Sequence, residues 1–285
     1  MGQAPVYVPQ DDRPLPAEPI DLVAIDLDGT LLRSDRSVGL RSAEAITKVT
    51  DLGVKVVVST GRSPRGAKHV YQALGLNTLM VAHNGALVVD PDKRWAIVQH
   101  LTLAGQVAYR AMRVARRVMP RLAVGVELLN RCFTDKVGSR LEREPTLVYR
   151  PRVTQHLESV LNQPITKLLF VGEPHVLGGV QMALVDQLPG ELSFALSHPH
   201  LLQVVAPHAN KAVGLECVCH YYNVPRHRTM AIGDAPNDLP MINWAGLGIA
   251  VQNGWEDVRT AAAFVVASNN DEGVAEAIYR YVLMR

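Results

Sequence analysis

The sequence predicts an α/β fold in which a doubly wound, mostly parallel sheet forms the core and an α+β domain is inserted into that core. Two observations lead to this prediction. At both ends of the chain, short apolar strands alternate with helical segments, which is the pattern of a parallel sheet covered on both faces. In the middle, strands come in clusters and the alternation is less strict. The 285 residues are enough for two domains.

The N-terminal part of this core is predicted to run strand, helix, strand, helix, strand. Gly53 follows the first helix, at the position where glycine commonly ends one. Ser63 and Pro64 are a preferred N-cap and a preferred first helical residue for the second helix. This order implies helices on both faces of the sheet. The predicted strands cover residues 22–25, 54–58 and 79–82, and the predicted helices cover 41–52 and 64–74.

Residues 86–205 are predicted to form the inserted α+β domain. Its predicted strands are the runs ALVVD, LAVGVELL, TLVYR, KLLFV and LLQVV, and its helices lie at about 104–119, 152–162 and 175–187. The alternation returns after residue 205, so residues 20–85 and 206–285 together form the core. Its later elements are helices at 211–222, from 235, near 255–262 and from about 271, and strands at 229–232, 247–251 and 264–266.

Composition and charge argue against several classes of protein. The formal net charge of +2 gives no argument for a nucleic acid or an acidic membrane as a partner. No apolar run approaches the roughly 18 residues of a membrane helix, and residues 1–19 indicate a flexible tail without a secretory signal. Three cysteines are too few for a disulfide framework and favour a reducing compartment. We therefore expect a cytoplasmic protein.

The stretch DLVAIDLDGTLL places two carboxylates, Asp26 and Asp28, directly after a buried strand. Buried charge is costly unless it is paired or bound to a metal ion. Ligands of open α/β sheets bind at the carboxyl ends of the strands, and polar residues follow the other core strands as well. They are Ser59, Thr60, Gly61 and Arg62 after the second strand, His83, Asn84 and Gly85 after the third, Asp234, Asn237 and Asp238 after the strand at 229–232, and Lys211 at the start of the helix after the insertion.

This set of residue types suits phosphoryl transfer. The aspartates are hard oxygen ligands of the kind that Mg²⁺ prefers. Lys211 and a hydroxyl would hold phosphate oxygens, and the reaction needs little beyond positioning and neutralised charge. One carboxylate can attack phosphorus and form an aspartyl-phosphate, while another in a different environment transfers protons. The sequence therefore predicts a Mg²⁺-dependent site for phosphoryl transfer.

Four stretches resemble the motifs of the haloacid dehalogenase superfamily of phosphohydrolases. DLDGTLL is similar to its first motif, VVVSTGR to its second, HANKAVGLE to its third and IGDAPNDLPMI to its fourth. HNGA and VASNNDEGVAEAI are typical of the Cof-like branch, class IIB. The resemblance covers residues 21–285 and implies a Rossmann-like core with a cap that covers the site and selects the leaving group. One departure is Ala235-Pro236, where the fourth motif often has a second glycine.

The resemblance implies a role for each matching residue. Asp26 would be the nucleophile, and Asp28 would be the general acid and base. Asp26, the backbone carbonyl of Asp28, and Asp234 would bind Mg²⁺, and Asp238 would support the metal. Thr60 is preferred to Ser59 as the hydroxyl because it occupies the family position, and side-chain alternation would point Ser59 to the other face. The residues expected to contact phosphate or substrate are Thr60, Gly61, Arg62, Asn84, Lys211 and Asn237.

With this resemblance, the leading function is a Mg²⁺-dependent phosphatase whose partner is a small phosphorylated metabolite, such as a sugar phosphate or a similar monoester. Two other functions remain open. A phosphomutase of the same superfamily would keep the phosphorylated intermediate for a second attack, and its product would be an isomer and not free phosphate. A non-catalytic module that binds a phosphorylated ligand would resemble a receiver domain. The chain length, the large insertion and the presence of Asp28 beside Asp26 argue against the module.

Four further patterns have a simpler structural explanation. GRSPRGAK at residues 61–68 imitates a P-loop but lacks its Gly-Lys-Ser/Thr ending. Cys217 and Cys219 lie in an apolar helical run without a second ligand pair at zinc-like spacing. The basic segment at 110–121 is interpreted as a solvated helix face. His198 and His200 are interpreted as part of a surface turn.

Overall fold

The structure is a computed structural model that describes residues 18–136, 151–154 and 156–284. Most of the predicted tail and the predicted strand TLVYR lie outside the described residues. The strands are β1 (Leu22–Ile25), β2 (Lys55–Val58), β3 (Met80–Ala82), β4 (Leu87–Asp90), β5 (Ala96–His100), β6 (Ala123–Leu128), β7 (Arg131–Thr134), β8 (Arg152–Val153), β9 (Lys167–Val171), β10 (Ser193–His198), β11 (Leu201–Val205), β12 (Thr229–Gly233), β13 (Leu247–Val251) and β14 (Phe264–Val266). The helices are α1 (Leu40–Asp51), α2 (Pro64–Ala73), α3 (Gly105–Val118), α4 (Pro174–Gln187), α5 (Lys211–Tyr222), α6 (Leu239–Trp244), α7 (Glu256–Ala261) and α8 (Gly273–Ile278).

The core is a parallel sheet in the order β14-β13-β12-β1-β2. Its central strand β1 places Ile25 opposite Val58 of β2 and opposite Ile232 of β12. The three strands therefore end at the same edge, and the residues that follow them lie side by side there. This register is what joins residues that are more than 200 positions apart in the sequence.

Both faces of the core sheet are covered by helices. Val23 and Ile25 of β1 belong to one hydrophobic cluster with residues of α1 and α8. Leu22 and Ala24 point to the other face, where they join a cluster with residues of α5 and α6. This alternation of buried side chains is the physical basis of a doubly wound sheet. The predicted α/β fold is confirmed.

The strands β3, β4 and β5 form a small antiparallel sheet beside the core. β4 pairs with β3, and Leu87 and Val89 of β4 lie in the hydrophobic cluster of the core. The predicted start of the inserted domain at residue 86 stays a prediction, although the hairpin of β4 and β5 packs beside the core. The hydrophobic cluster of the inserted part includes Leu103.

The elements from α3 to β11 form the inserted unit. Its sheet has the order β10-β11-β9-β6-β7-β8, and residues of α3 and α4 pack with that sheet in one hydrophobic cluster. The helix predicted at 152–162 is wrong. Arg152 and Val153 instead pair with β7, and only a single turn of 3₁₀-helix follows at Leu157–Val160. Strand pairing at the sheet edge thus outweighs the local helical pattern.

The structure shows where three of the sequence patterns lie, namely the basic segment, the P-loop imitation and the cysteines. The basic segment belongs largely to α3, where Arg116 pairs with Asp135 at 2.5 Å and Arg110 pairs with Glu191. The P-loop imitation is the start of α2, whose first turn is capped by Ser63. Within the described residues, the cysteines are free and belong to no metal-binding group. None of the helices in the described part of the chain has the length and hydropathy to cross a membrane.

Candidate active site

Three aspartates meet at the carboxyl edge of the core sheet. Asp26 follows β1, and Asp234 and Asp238 follow β12. One carboxylate oxygen from each lies within 4.8 Å of the others, and all three residues are buried. In the described part of the chain, this is the one group of His, Cys, Asp or Glu residues with a geometry that could hold a metal ion.

Lys211 brings the opposite charge to this group. It is the first residue of α5, and Asn210 before it caps the helix by accepting a hydrogen bond from the N–H of Val213 at 3.1 Å. Its Nζ lies 2.5 Å from Oδ1 of Asp238 and also donates to Oδ1 of Asp26. The backbone of Gly85 fixes this position, because a Cβ there would lie 1.9 Å from the carbonyl oxygen of Asn210. Lys211 is fully buried.

The charges in this cluster shift the pKa values of its members. Burial opposes the charge of Lys211, but Asp238 and Asp26 outweigh it and hold the pKa of Lys211 above its usual value. Burial raises the pKa of Asp26 well above its usual value, and the neighbouring aspartates add to this effect against Lys211. Burial and Asp238 raise the pKa of Asp234 to about 7. A single lysine does not neutralise all three aspartates, so the cluster keeps an excess of negative charge.

The donor set of this cluster fits a hard divalent cation. Carboxylate oxygens are the ligands that Mg²⁺ prefers, and a dication would relieve the repulsion that raises these pKa values. Thr30 orients one ligand, since its hydroxyl donates to Oδ1 of Asp234 at 2.7 Å. Gly29 has a positive φ of 84°, and a Cβ at that residue would lie 2.4 Å from Oδ2 of Asp234. The chain therefore leaves room for the Asp234 carboxylate by using glycine.

Asp238 holds the turn that carries Asp234. Its Oδ2 accepts hydrogen bonds from the N–H groups of Asp234 and Ala235, each at 3.0 Å. Its other oxygen faces Lys211. Gly233 is required beside it, because a Cβ there would lie 2.5 Å from the Asp238 side chain. Ala235 and Pro236 are accommodated in this turn without displacing Asp234 from the cluster.

Asp28 is separate from the three clustered aspartates and pairs with Arg62. Nε of Arg62 lies 2.7 Å from Oδ2 of Asp28, and Nη2 of Arg62 contacts Oδ1. The Asp28 side chain is 42% exposed, whereas that of Arg62 is 4% exposed. Asp28 therefore presents its carboxylate at the wall of an open space. The expectation that Asp28 takes part in metal binding, which the resemblance assigns to its backbone carbonyl, stays a prediction.

The predicted phosphate-binding residues line the same edge. The hydroxyl of Thr60 accepts a hydrogen bond from the N–H of Arg62 at 3.1 Å and is buried. Asn237 donates to Oδ1 of Asn84 at 2.9 Å. Asn84 adopts a positive φ of 56°, in the short turn after β3. Gly61 and Asn237 line the cavity beside Asp26, whereas Asn84 reaches the inserted unit through Gln203.

Sequence reasoning missed the residues that the inserted unit contributes. Glu127 of β6, Lys167 of β9 and Gln203 of β11 are buried and lie at the junction with the core. Nζ of Lys167 lies 2.7 Å from the carbonyl oxygen of Gly61, and Oε1 of Gln203 accepts from Asn84 at 3.2 Å. A signal was present, because each of these residues is a polar member of an otherwise apolar strand. The sequence alone does not tell where such a strand faces.

A cavity of about 290 Å³ lies between the core and the inserted unit. Asp26 and Asp234 of the cluster form its floor, and its walls carry Asp28 and side chains of both parts. Most of its lining residues have polar side chains, which suits a ligand with several hydrogen-bonding groups. The lining residues are Asp26, Asp28, Gly29, Gly61, Arg62, Ser63, Glu127, Lys167, Leu169, Ser197, His198, Gln203, Asp234, Ala235 and Asn237.

Comparisons with known proteins agree with this arrangement. A family model of haloacid dehalogenase-like hydrolases matches residues 23–278. The 5-amino-6-(5-phospho-D-ribitylamino)uracil phosphatase YitU of Bacillus subtilis is 29% identical to the chain over 264 residues, which are 91% of this chain and 97% of the relative.

Solved structures show the same fold. A phosphatase of the haloalkanoate superfamily from Bacteroides thetaiotaomicron has 28% sequence identity and a TM-score of 0.80, and the match covers 95% of this chain and 98% of that one. A sugar phosphatase of subclass IIB has a TM-score of 0.79 with 18% identity, over 92% of this chain and 98% of that one. At that identity the second likeness is one of fold.

Proposed function

The chain belongs to the haloacid dehalogenase-like hydrolases and is a phosphoric monoester hydrolase, and from this premise we propose that it releases phosphate from small phosphorylated metabolites through an aspartyl-phosphate on Asp26. The observation that carries the proposal is the position of Asp26. Its carboxylate lies at the floor of a polar cavity, beside a buried cation and two further carboxylates. This surrounding suits a nucleophile that attacks a dianionic phosphate.

The reaction has two steps. In the first, a carboxylate oxygen of Asp26 attacks phosphorus, the P–O bond to the leaving group breaks, and Asp28 gives the leaving oxygen its proton. In the second, Asp28 takes a proton from water, the water oxygen attacks phosphorus, and the P–O bond to Asp26 breaks. Inorganic phosphate leaves, and the Asp26 carboxylate and protonated Asp28 are restored. The separation of Asp28 from the buried cluster supports this division of labour.

The surrounding residues hold the phosphoryl group in place. Lys211 neutralises charge at Asp26, and the hydroxyl of Thr60 keeps its proton available because its oxygen accepts from the N–H of Arg62. Asp26 and Asp234 would hold Mg²⁺, with Asp238 supporting them from the side that faces Lys211. When bound, Mg²⁺ would supply positive charge to the phosphoryl oxygens.

The substrate is proposed to be a phosphomonoester with a polar leaving group. Glu127, Gln203 and Ser197 from the inserted unit line the cavity opposite the aspartates, which supports a role of this unit as a cap. A relative acts on a phosphorylated ribitylamino uracil, and another fold neighbour is a sugar phosphatase. Sugar phosphates and similar polyol phosphates are therefore the first substrates to test. The cytoplasmic location predicted from the sequence stays a prediction.

The experiment that tests this function measures phosphate release from a panel of phosphomonoesters with and without Mg²⁺. The wild type is compared with Asp26→Asn and with Asp51→Asn, an exposed aspartate of α1 that serves as matched control. We expect release that requires Mg²⁺, survives in Asp51→Asn and disappears in Asp26→Asn. Isomerised phosphomonoester in place of free phosphate would favour the phosphomutase. Unchanged release by Asp26→Asn would contradict the proposed nucleophile.

A further inference from the structure

Lys167 is a buried cation to which the proposed reaction assigns no role. It is the first residue of β9, an otherwise apolar strand of the inserted unit, and its side chain is 5% exposed. Holding a charge in such a place is costly unless its hydrogen-bonding capacity is met. The contacts of Lys167 therefore indicate what it does.

The Lys167 ammonium group donates two hydrogen bonds to the protein and forms one ion pair. Nζ lies 2.7 Å from Oε1 of Gln203 and 3.0 Å from Oε2 of Glu127, both in the inserted unit. The third partner is the carbonyl oxygen of Gly61 in the core, at 2.7 Å. An ammonium group has three donors, so two of them are used on protein oxygens, and the charge is balanced by the Glu127 carboxylate. Lys167 consequently acts on the protein itself.

The core partner of Lys167 is the carbonyl end of the peptide group between Gly61 and Arg62. The N–H end of the same group binds the hydroxyl of Thr60, which is predicted to contact phosphate. The Gly61 carbonyl and the Arg62 N–H belong to the same peptide plane, and that N–H donates to Oγ1 of Thr60 at 3.1 Å. Because a peptide group is rigid, a hydrogen bond to its carbonyl also fixes the direction of its N–H. The orientation of the Thr60 hydroxyl thus depends on a cation in the inserted unit.

The same peptide group is also connected to Asp28, the proposed general acid. Arg62 continues from it, and its side chain holds both oxygens of Asp28. A tilt of the peptide plane would move Thr60 and Arg62 together. Lys167 is thus connected to the residues proposed for phosphate binding and for proton transfer, although it touches neither Thr60 nor Asp28.

We propose that Lys167 is a positioning residue that completes the phosphate-binding turn at Gly61 only when the inserted unit is docked on the core. The inference rests on the proposed phosphatase chemistry of the site. It makes correct placement of the turn conditional on docking, so that the site is assembled when its cavity is covered. Glu127 balances the charge of Lys167, and Gln203 ties the pair to Asn84 of the core.

The test compares Lys167→Met with Lys167→Arg and with the double variant Lys167→Met/Glu127→Gln. Methionine keeps much of the length of lysine without a donor, arginine keeps the charge and donors, and the double variant avoids leaving Glu127 as a buried lone charge. Lys93→Met is the matched control, because Lys93 is exposed and pairs with Asp90 and Tyr221 of the core.

Kinetics separate positioning from substrate contact. We expect Lys167→Met and the double variant to lower kcat by about 100-fold, the scale of a misplaced reacting group, with KM little changed. Lys167→Arg should retain a larger share of kcat, and Lys93→Met should match the wild type. A raised KM with unchanged kcat would mean that Lys167 binds substrate and would overturn the proposal. A wild-type kcat in the double variant would overturn it as well.

Hydrogen exchange supplies a readout that does not depend on activity. In the peptide spanning residues 59–63, loss of Lys167 should accelerate amide exchange by up to about tenfold, the scale of one lost hydrogen bond. Exchange in β12 and β13 should stay unchanged. Unaltered exchange at 59–63 in Lys167→Met would refute the positioning role. If the wild type hydrolyses no phosphomonoester, the proposed function fails, while this exchange comparison still decides the role of Lys167.

Discussion

Arg62 holds the carboxylate of Asp28 at two points, with Nε on Oδ2 at 2.7 Å and Nη2 on Oδ1. The arginine is buried and the aspartate is partly exposed, so the pair fixes a carboxylate at the boundary between protein and cavity. Planar two-point recognition of this kind is specific to the guanidinium group. The residue that the resemblance placed near the substrate thus also positions the proposed acid.

Replacement of Arg62 by lysine is expected to lower the rate of phosphate release by about 10 to 100-fold. Lysine keeps the positive charge but offers a single nitrogen, so the Asp28 carboxylate can rotate away from the leaving group. The measurement is kcat for the best phosphomonoester of the panel. Arg65→Lys serves as control, because Arg65 lies in the first turn of α2 and the substitution leaves its backbone hydrogen bond to Asn130 in place. Equal rates for wild type and Arg62→Lys would argue against a positioning role.

Mg²⁺ is expected to raise the melting temperature of the protein, and more strongly at about pH 8 than at about pH 6. Burial and Asp238 raise the pKa of Asp234 to about 7, and burial raises that of Asp26. A raised folded-state pKa contributes stability at low pH that is lost as pH rises through that pKa. The metal-free protein should therefore lose stability as pH rises through about 7, and Mg²⁺, which binds the deprotonated carboxylates, should restore it.

Thermal unfolding with and without Mg²⁺ at both pH values measures this effect. The variant Asp234→Asn should lose most of the Mg²⁺-dependent shift, and Asp51→Asn on the surface of α1 should keep it. A Mg²⁺-dependent shift of the same size in Asp234→Asn would show that the ion binds elsewhere.

The core of the site could be predicted because its signals are local in the sequence. A charged residue directly after an apolar strand, as with Asp26, marks the carboxyl end of that strand, and parallel order then places such ends together. The position of Ser63 as an N-cap follows from the same local chemistry. These features need no knowledge of how distant segments pack.

The contribution of the inserted unit could not be predicted, because it depends on docking. The three residues concerned are Glu127 of β6, Lys167 of β9 and Gln203 of β11. The order of these strands in the sheet differs from their order in the chain. Nothing local shows that these side chains face the core. The wrong helix at 152–162 has a similar cause, since Arg152 is held by pairing with Phe133 of β7 and not by neighbours in sequence.

Replacement of Gly29 by alanine is expected to abolish most activity, whereas the same change at Gly53 should not affect it. Both glycines have positive φ, 84° and 89°, so each variant should lose about 1–2 kcal/mol of stability. Only at Gly29 would the added Cβ meet a side chain, Oδ2 of Asp234 at 2.4 Å, while nothing lies within 4 Å at Gly53. Urea unfolding measures the shared strain, and phosphate release measures the difference. Equal activity losses in both variants would attribute the effect to backbone strain.

Lys211 and Asp238 are expected to show a strong energetic coupling in the metal-free protein. Both are fully buried, with Nζ 2.5 Å from Oδ1, and removing one member of a buried pair typically costs about 3 kcal/mol or more because the other charge is left without compensation. We expect Lys211→Met and Asp238→Asn each to lower the free energy of unfolding, and the double variant to lose less than the sum of the two. A double-mutant cycle by urea unfolding measures this, with Lys93→Met and Asp90→Asn, an exposed lysine and its ion-pair partner, as the comparison cycle. Additive losses to within about 0.5 kcal/mol would mean that Asp26 alone balances the charge of Lys211.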